Sequence, residues 1–479
     1  MQTKVDRQEA EDTRYTTYQS PLASRYVSPE MEQIFTSQQR YSTWRKLWIA
    51  LAESEQELGL QISDAQIKEL KKHAESIDFE RVATIEAETH HDVMAHVLAY
   101  GEQCSVAKPI IHLGATSCFV TDNADLLLMH EALRILETKI KKIIHNFSGF
   151  AERYKAVPCL GFTHFQAAQL TTVGKRACLW IQDFAMDLVD IVYRTKSLKF
   201  LGTKGATGTQ ASFLSLFGGD HSKVEELDRK IAEKMGFSEL LTISGQTYTR
   251  KIDSQILYSL SGIGISAHKF ATDLRLLASL KEIEEPFSKT QVGSSAMPYK
   301  RNPILAERIC SLSRFLISLS ENPAYTAATQ WLERSLDDSA NRRIVIPEAF
   351  LAADAIVELL LKLSSGLIVN EKVIEKHIQE ELPFIATENI LMEAVKKGGD
   401  RQSIHEIIRS HSIKAAEQVK QGLSNDLLRA LKNDPKLKLD SKEIESILDS
   451  KKYIGRAKEQ VEYFLNHELP VTLNERKKS

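Results

Sequence analysis

The richest run of reactive side chains spans residues 293–303 and reads GSSAMPYKRNP. It sets two adjacent hydroxyls, Ser294 and Ser295, ahead of a cation, Lys300, and an amide, Asn302. Its two prolines disfavour helical angles at the residues before them, so the run is predicted to be a loop. Hydrogen-bond donors and positive charge on a loop suit an anionic ligand. A solvated basic turn is the alternative, because lysine and arginine are mostly exposed in any protein.

Three consecutive polar residues, His90, His91 and Asp92, fall within a predicted helix over residues 86–100. His91 and His96 are five residues apart, which splays them around a helix and does not make a metal-binding pair. A capped or buried structural histidine is the alternative to a functional role for His91.

Two further windows place polar side chains just before predicted long helices. Thr116 and Ser117 precede a helix predicted from Asp122, where free N–H groups bind anions; plain helix capping is the alternative. His164 lies in a non-helical window over residues 161–169. An imidazole has a pKa near neutrality and suits proton transfer, while a surface loop histidine is the simpler interpretation.

A later segment, WLERSLDDSANRR, is unusually polar for a helical protein. Arg334, Ser339 and Arg343 follow one another at spacings of five and four residues. The forked guanidinium group of arginine binds phosphate oxygens bidentately. The alternative is a helix end laced with salt bridges, in which Asp337 and Asp338 are the partners.

The elements that must position these residues are predicted to be long helices. Apolar residues step by three and four along residues 126–150, 177–198 and 256–277. No proline interrupts the chain between Pro158 and Pro286, and no long stretch alternates with period two. We therefore expect an all-α protein whose central bundle of very long helices assembles with other subunits.

Length and chain character indicate three helical domains, over residues 1–111, 112–364 and 365–479. The composition is that of an ordinary globular protein, with 43% hydrophobic and 26% charged residues.

A net charge of −2 argues against nucleic acid as the main partner. No apolar run suits a signal peptide or a membrane span, and no spacing suits a metal or a dinucleotide. Five scattered cysteines indicate reduced thiols and a cytoplasmic location: Cys104, Cys118, Cys159, Cys178 and Cys310.

The run GSSAMPYKRNP resembles the signature loop of the fumarase/aspartase superfamily, whose members cleave C–N or C–O bonds and release fumarate. The form with Ala296, Tyr299 and Arg301 is most similar to the animal type of the adenylosuccinate lyase family. The windows HHD, GATS and GFTHFQAAQ resemble further elements of the superfamily, in its order, so that the likeness covers roughly residues 20–470.

The resemblance implies a β-elimination that releases fumarate from two N-succinyl nucleotides, adenylosuccinate and the succinyl-carboxamide imidazole ribotide SAICAR, without a cofactor or a metal. It implies that Ser294 is the general base and His164 the general acid, with His91 in support and Lys300 on the developing charge. It implies these substrate-binding residues: Arg25, Tyr26, His90, Asp92, Thr116, Ser117, Gln246, Asn302, Arg308, Arg334, Ser339 and Arg343.

The resemblance also implies a homotetramer whose active sites are shared between subunits, with small-molecule substrates and no nucleic-acid or membrane partner. Two alternatives remain open at this point. An argininosuccinate lyase would share the loop and the fold but would not need the phosphate-binding set of Arg334, Ser339 and Arg343. A catalytically silent structural member of the superfamily would not need Ser294 and His164.

Overall fold

The computed structural model describes residues 16–288, 290, 296–297, 299–437 and 439–473. Its α-helices are α1 (Pro29–Ile34), α2 (Ser37–Glu57), α3 (Asp64–Lys72), α4 (Phe79–Thr89), α5 (Asp92–Gln103), α6 (Ser117–Arg153), α7 (Val173–Ser197), α8 (Ala211–Leu216), α9 (His221–Lys234), α10 (Lys251–Ser279), α11 (Ile304–Leu319), α12 (Asn322–Ala328), α13 (Asp338–Ser364), α14 (Glu371–Ile385), α15 (Thr387–Lys396), α16 (Arg401–Lys420), α17 (Leu427–Lys432), α18 (Ser441–Ile447), α19 (Ala457–Tyr463) and α20 (Leu469–Thr472). The strands are β1 (Pro158–Thr163), β2 (Gln166–Thr172), β3 (Ile283–Glu284) and β4 (Ile368–Val369), which form two antiparallel pairs, β1–β2 and β3–β4.

The predicted apolar stripes lie on the buried faces of α6, α7 and α10, which confirms the all-α class. Leu126, Ile181 and Leu260, one from each helix, are completely buried. Helices of this length are stabilised chiefly by packing such a face against other elements. In the described part of the chain, no helix combines the length and the apolar character needed to cross a membrane.

The window around His164 is non-helical as predicted, but it is a β-hairpin rather than a loop. Strands β1 and β2 pair so that only His164 and Phe165 remain at the turn. Their φ angles of 54° and 57° are left-handed, which is typical of the two-residue turn that matches the twist of paired strands. Period-two alternation is too short here, and no Asn-Gly pair marks the turn, so the sequence did not indicate a hairpin.

The predicted helix over residues 86–100 is divided in two, because helical structure is interrupted at His90 and His91. Helix α4 ends at Thr89, and His90 follows in the left-handed region with a φ of 54°. His91 is extended and caps α5, since its Nδ1 accepts a hydrogen bond from the backbone N–H of Met94 at 3.3 Å. His91 therefore caps a helix through its Nδ1, and its functional role stays a prediction.

The described residues form two compact units, each discontinuous in sequence. The first contains residues up to Ile140, Asp187–His268 and Arg308–Leu360. The second contains Lys141–Met186, Lys269–Glu307 and the chain from Leu361 onwards. The boundaries predicted near residues 111 and 364 stay a prediction.

The second unit contains an aromatic cluster from three long helices. The ring of Phe270 lies 5.0 Å from the rings of both Phe147 and Trp180, and Phe184 stacks on Phe147. The indole Nε1 of Trp180 donates a hydrogen bond to Asp273 at 2.8 Å, so that its polar atom is satisfied inside the core. Aromatic contacts of this geometry stabilise a core beyond the area that they bury.

We predict that Glu55→Gln stabilises the protein increasingly as pH rises from 5 to 8. Glu55 is buried on α2, and its carboxylate oxygens have no hydrogen-bond partner among the described residues. Burial raises the pKa of Glu55 to about 8, so the folded state holds a proton that the unfolded state releases above its ordinary pKa of 4.5. Stability is therefore lost between these values, by roughly 1.4 kcal/mol for each pH unit.

Thermal unfolding at pH 5 and at pH 8 measures this effect. The control is Glu57→Gln on the same helix, since hydrogen bonds from Lys230 and Lys234 lower the pKa of Glu57 and its replacement should destabilise. An equal change in melting temperature at both pH values for Glu55→Gln would contradict the prediction.

Candidate active site

The break between α4 and α5 brings His91 to the start of α6. The Nε2 of His91 lies 3.4 Å from the hydroxyl of Ser117, the first residue of that helix. Helix α6 thus begins five residues earlier than predicted. Its N-terminal N–H groups, which have no partner within the helix, therefore lie next to Thr116 and Ser117. His90, by contrast, is exposed on the turn before His91.

Asp92 joins this group to the polar segment at the start of α13. Its carboxylate pairs with the guanidinium group of Arg343. Burial of Asp92 opposes its ionisation, but the hydrogen bond and the charge of Arg343 outweigh burial, so the pKa of Asp92 is lowered. The carboxylate of Asp92 is therefore ionised at neutral pH and forms an ion pair with Arg343.

Gln246 is fixed on both sides of its amide. Its Oε1 accepts a hydrogen bond from the thiol of Cys118 at 3.4 Å, and its Nε2 donates to the carbonyl of Ala206 at 3.3 Å. Its backbone N–H donates to the carbonyl of Glu333 at 3.0 Å, which ties it to the residue preceding Arg334. Cys118 follows Ser117, so Gln246 and Ser117 belong to one cluster.

A buried chain of alternating charges lies next to this cluster. Asp122 on α6 pairs with Arg250, with nitrogen–oxygen distances of 2.8 and 3.2 Å. Arg250 donates its Nε to Asp338 at 2.6 Å, and Asp338 also accepts from Arg334 at 2.8 Å. Asp338 is thus a salt-bridge partner at this helix end, while the phosphate-binding role of Arg334, Ser339 and Arg343 stays a prediction. The salt-bridge interpretation is wrong for Asp337, which accepts from Ser335 and from other uncharged side chains.

The start of α13 presents three of the predicted residues in order. Arg334 precedes the helix, Ser339 is half-buried at its second position, and Arg343 is about half-exposed one turn further on. The neighbouring Arg342 is buried and pairs with Asp253 at 2.7 Å. Adjacent arginines thus have different surroundings, one inside the protein and one open to a ligand.

In the second unit, His164 stands exposed at the tip of the β1–β2 hairpin. Strand pairing holds the backbone on both sides of it, and its left-handed φ is an uncommon angle for a residue other than glycine. The imidazole is therefore open to a ligand, while the turn beneath it has a defined shape.

The signature loop is described only in part, and Ser294 lies outside the described residues. Lys300 is exposed, and its backbone N–H donates to the carbonyl of Met297 at 3.0 Å. The loop ends at α11, whose first N–H groups are capped by the buried carboxylate of Glu285 through Leu305 at 3.0 Å and Ala306 at 2.6 Å. This cap fixes the position from which the loop departs.

The remaining predicted residues lie at the edges of the described structure. Arg25 and Tyr26 close a short π-helical turn, and the guanidinium carbon of Arg25 lies 5.7 Å from the ring centre of Tyr26. Asn302 accepts a hydrogen bond through its backbone carbonyl from the N–H of Ile304 at 2.9 Å. Arg308 is exposed on α11.

Hydrogen bonds and ion pairs therefore join the sequence-predicted residues His91, Asp92, Ser117, Gln246 and Arg343 into one region of the first unit, with Arg334 tied to it through Glu333. Sequence reasoning missed Cys118, Arg250 and the link through Asp122. One signal was available for Asp122, because it lies four residues before Leu126 and thus continues the apolar stripe of α6 with a charge. Within the described ranges, no group of three or more histidine, cysteine or acidic residues is arranged to hold a metal ion.

Comparison with known proteins defines the class first. Residues 15–315 match a family model described as a lyase. The fold is similar to that of 3-carboxy-cis,cis-muconate lactonizing enzyme from Pseudomonas putida, with a TM-score of 0.81, 21% identity, and coverage of 94% of this chain and 99% of that chain. A fumarate lyase from Mesorhizobium sp. BNC1 gives a TM-score of 0.78 at 20% identity, covering 94% and 100%. The chain is a lyase of the fumarase/aspartase superfamily.

Closer relatives then define the family. Residues 383–464 match the model of the adenylosuccinate lyase C-terminus. The adenylosuccinate lyase of Schizosaccharomyces pombe is 50% identical over 463 residues, which are 96% of each chain. That of Saccharomyces cerevisiae is 52% identical over 459 residues, 95% of each, and that of Archaeoglobus fulgidus 34% over 444 residues, 92% of this chain and 97% of the relative. This chain belongs to the adenylosuccinate lyase family.

We predict that Gly245→Ala lowers both stability and activity, because it separates Gln246 from the segment that carries Arg334. A β-carbon at Gly245 would lie 2.4 Å from the carbonyl oxygen of Glu333, so the two backbones must move apart. We expect a loss of about 1–3 kcal/mol in the free energy of unfolding. Denaturant unfolding and turnover measure the two effects.

The matched control is Gly149→Ala within α6, where a β-carbon meets nothing within 4 Å. Alanine should stabilise this helix position by about 0.5–1 kcal/mol and leave turnover unchanged. Full activity of Gly245→Ala would show that the close backbone approach does not position the site.

Proposed function

We propose that the protein cleaves adenylosuccinate to AMP and fumarate, and SAICAR to AICAR and fumarate. The observation that carries this proposal is the identity of about half of all residues, over nearly the whole chain, with adenylosuccinate lyases. The C-terminal match to the same family and the phosphate-suited segment with Arg334 and Arg343 favour these substrates over argininosuccinate. The family is one of C–N lyases, so the chain is an enzyme of that type.

The reaction requires one proton to leave carbon and another to reach nitrogen. A base removes the proton from the carbon next to a carboxylate, the electron pair forms the double bond of fumarate, and the C–N bond breaks as the nitrogen is protonated. We assign the base to Ser294 and the acid to His164. An imidazole suits the second step because it can donate a proton near neutral pH. The position of His164, exposed on a paired hairpin, supports its assignment.

The carbanion adds negative charge to a substrate that already carries two carboxylates and a phosphate. We assign the carboxylates to Lys300, Asn302 and the start of α6, where Thr116 and Ser117 are half-buried beside free N–H groups. His91 supports the acid, and Gln246 contacts the substrate.

The phosphate is assigned to Arg334, Ser339 and Arg343, which are grouped at the start of α13. The further assignments of Arg25, Tyr26, His90, Asp92 and Arg308 to substrate binding rest on the family resemblance.

We further propose a homotetramer in which elements from different subunits build each active site. Large apolar side chains stand exposed along single faces of the long helices, where a monomer would leave them in water. Their exposed fractions are 51% for Leu179, 61% for Met186 and 59% for Tyr193 on α7, and 50% for Tyr258 and 58% for Ile265 on α10.

A cytoplasmic location completes the proposal. All five cysteines are buried thiols that form no disulfide with one another, as expected of thiols that are kept reduced.

We expect His164→Asn and Ser294→Ala each to lower the turnover of adenylosuccinate by a factor on the order of 10²–10⁴. Ultraviolet absorbance measures this turnover. Asparagine is the matched choice at position 164, because it tolerates the left-handed angle of the turn and removes only the imidazole. Circular dichroism verifies the fold. Wild-type turnover in either folded variant would refute its assigned role, and cleavage of argininosuccinate alone would refute the substrate.

Light scattering of the purified protein is expected to give four times the chain mass of 54.0 kDa. Met186→Glu and Ile265→Glu place charges on the exposed apolar faces and should yield smaller, inactive species. Met392→Glu is the control, because Met392 is 50% exposed on α15, away from these helices in the sequence. An active wild-type monomer would contradict the shared sites.

A further inference from the structure

Asp338 is a buried carboxylate that contacts two arginines, one buried and one that reaches the surface. It is the first residue of α13, with 1% of its surface exposed. Its Oδ2 accepts from the Nε of Arg250, which is buried, and its Oδ1 accepts from the Nη1 of Arg334, which reaches the surface. One carboxylate thus links the interior of the first unit to a cation at the candidate phosphate site.

The bond to Asp338 decides which edge of Arg334 faces outward. The Nη1 of Arg334 donates to Asp338 at 2.8 Å and to the carbonyl of Ser335 at 2.6 Å, so this nitrogen is fully used. Within the part of the chain that the structure describes, Nε and Nη2 make no further hydrogen bond. These two nitrogens form one of the parallel-donor edges with which arginine binds two oxygens of a phosphate.

Asp338 is itself held from the other side. Arg250 pairs with Asp122 as well as with Asp338, and Asp122 also accepts from the backbone N–H of Tyr248 at 3.1 Å. The first turn of a helix further favours a negative side chain. The carboxylate therefore has little freedom to move, and neither has the nitrogen of Arg334 that it holds.

We propose that Asp338 is a positioning residue that orients Arg334 toward the nucleotide phosphate and thereby sets the preference of the enzyme for a phosphorylated substrate. The inference rests on the proposed function, in which Arg334 binds that phosphate. Asp338 does not touch the substrate, since it is buried behind the arginine.

A negative charge near a phosphate also repels it, so the two effects of Asp338 oppose each other. The repulsion is small here, because Arg250 and Arg334 both contact this carboxylate, at 2.6 and 2.8 Å, and together offset its charge. Orientation of Arg334 therefore dominates, and loss of Asp338 weakens phosphate recognition.

The test compares Asp338→Asn with a matched control, Asp253→Asn. Asp253 is buried to the same degree in the same network, but its oxygens accept from Arg342 and Tyr248, which are buried too. In both variants an amide, with one oxygen, replaces a carboxylate that serves two donors. The control therefore reproduces the structural disturbance and leaves Arg334 in place.

The measurement is kcat/KM for adenylosuccinate and for the same compound without its phosphate, the succinyl nucleoside. We expect Asp338→Asn to lower the ratio of the two values by about tenfold, mainly through KM of the nucleotide, with little change for the nucleoside. Asp253→Asn should leave the ratio unchanged. Asp338→Glu keeps the charge that Arg250 needs but displaces the carboxylate, so it should lower the ratio even if the asparagine variant fails to fold.

Arg334→Gln separates the possible failures. If it leaves the ratio unchanged, Arg334 does not bind the phosphate, and the proposed role of Arg334 is overturned together with this inference. If it lowers the ratio while Asp338→Asn and Asp338→Glu do not, the positioning role of Asp338 alone is overturned. Equal losses in Asp338→Asn and Asp253→Asn would likewise overturn it, because they would reflect the network and not the orientation of Arg334.

Discussion

The ion pair between Asp122 and Arg250, shared onward with Asp338, is the constraint on which the site of the first unit depends. It joins the start of α6, the chain that precedes α10 and the start of α13. Burying charges is costly unless each is paired and hydrogen-bonded, and removing one partner typically costs about 3–5 kcal/mol. Three chain segments must therefore keep one relative position, and that position brings Ser117, Gln246 and Arg334 together.

Several of the candidate catalytic and binding residues lie where helices or strands begin or end. His91 caps one helix, Ser117 begins another, and His164 occupies a tight turn between strands. Such positions leave backbone donors free and side chains open to a ligand, while the attached helices and strands fix their directions. The long buried helices contribute rigidity and hold no assigned chemistry along their apolar faces.

The long helices could be predicted from the sequence because packing requires an apolar side chain every three or four residues. The family could be recognised from the signature loop, which packs many specific side chains into eleven positions. The interruption of the helix at His90 could not be predicted, because it depends on a left-handed φ angle. A histidine in a sequence gives no sign of such an angle. The hairpin beneath His164 and the shared carboxylate of Asp338 depend on partners far away in the chain, and local patterns do not contain such pairings.

All five thiols are buried, so the rate at which each one becomes accessible to a reagent reports how often the structure around it opens. Burial raises the pKa of Cys159 to about 11 and that of Cys178 to about 12, so neither is a nucleophile while the second unit stays folded. Cys118 is equally protected in the first unit. An alkylating reagent would therefore mark each cysteine only after local unfolding, and the order of labelling would rank the stability of the two units within one intact chain.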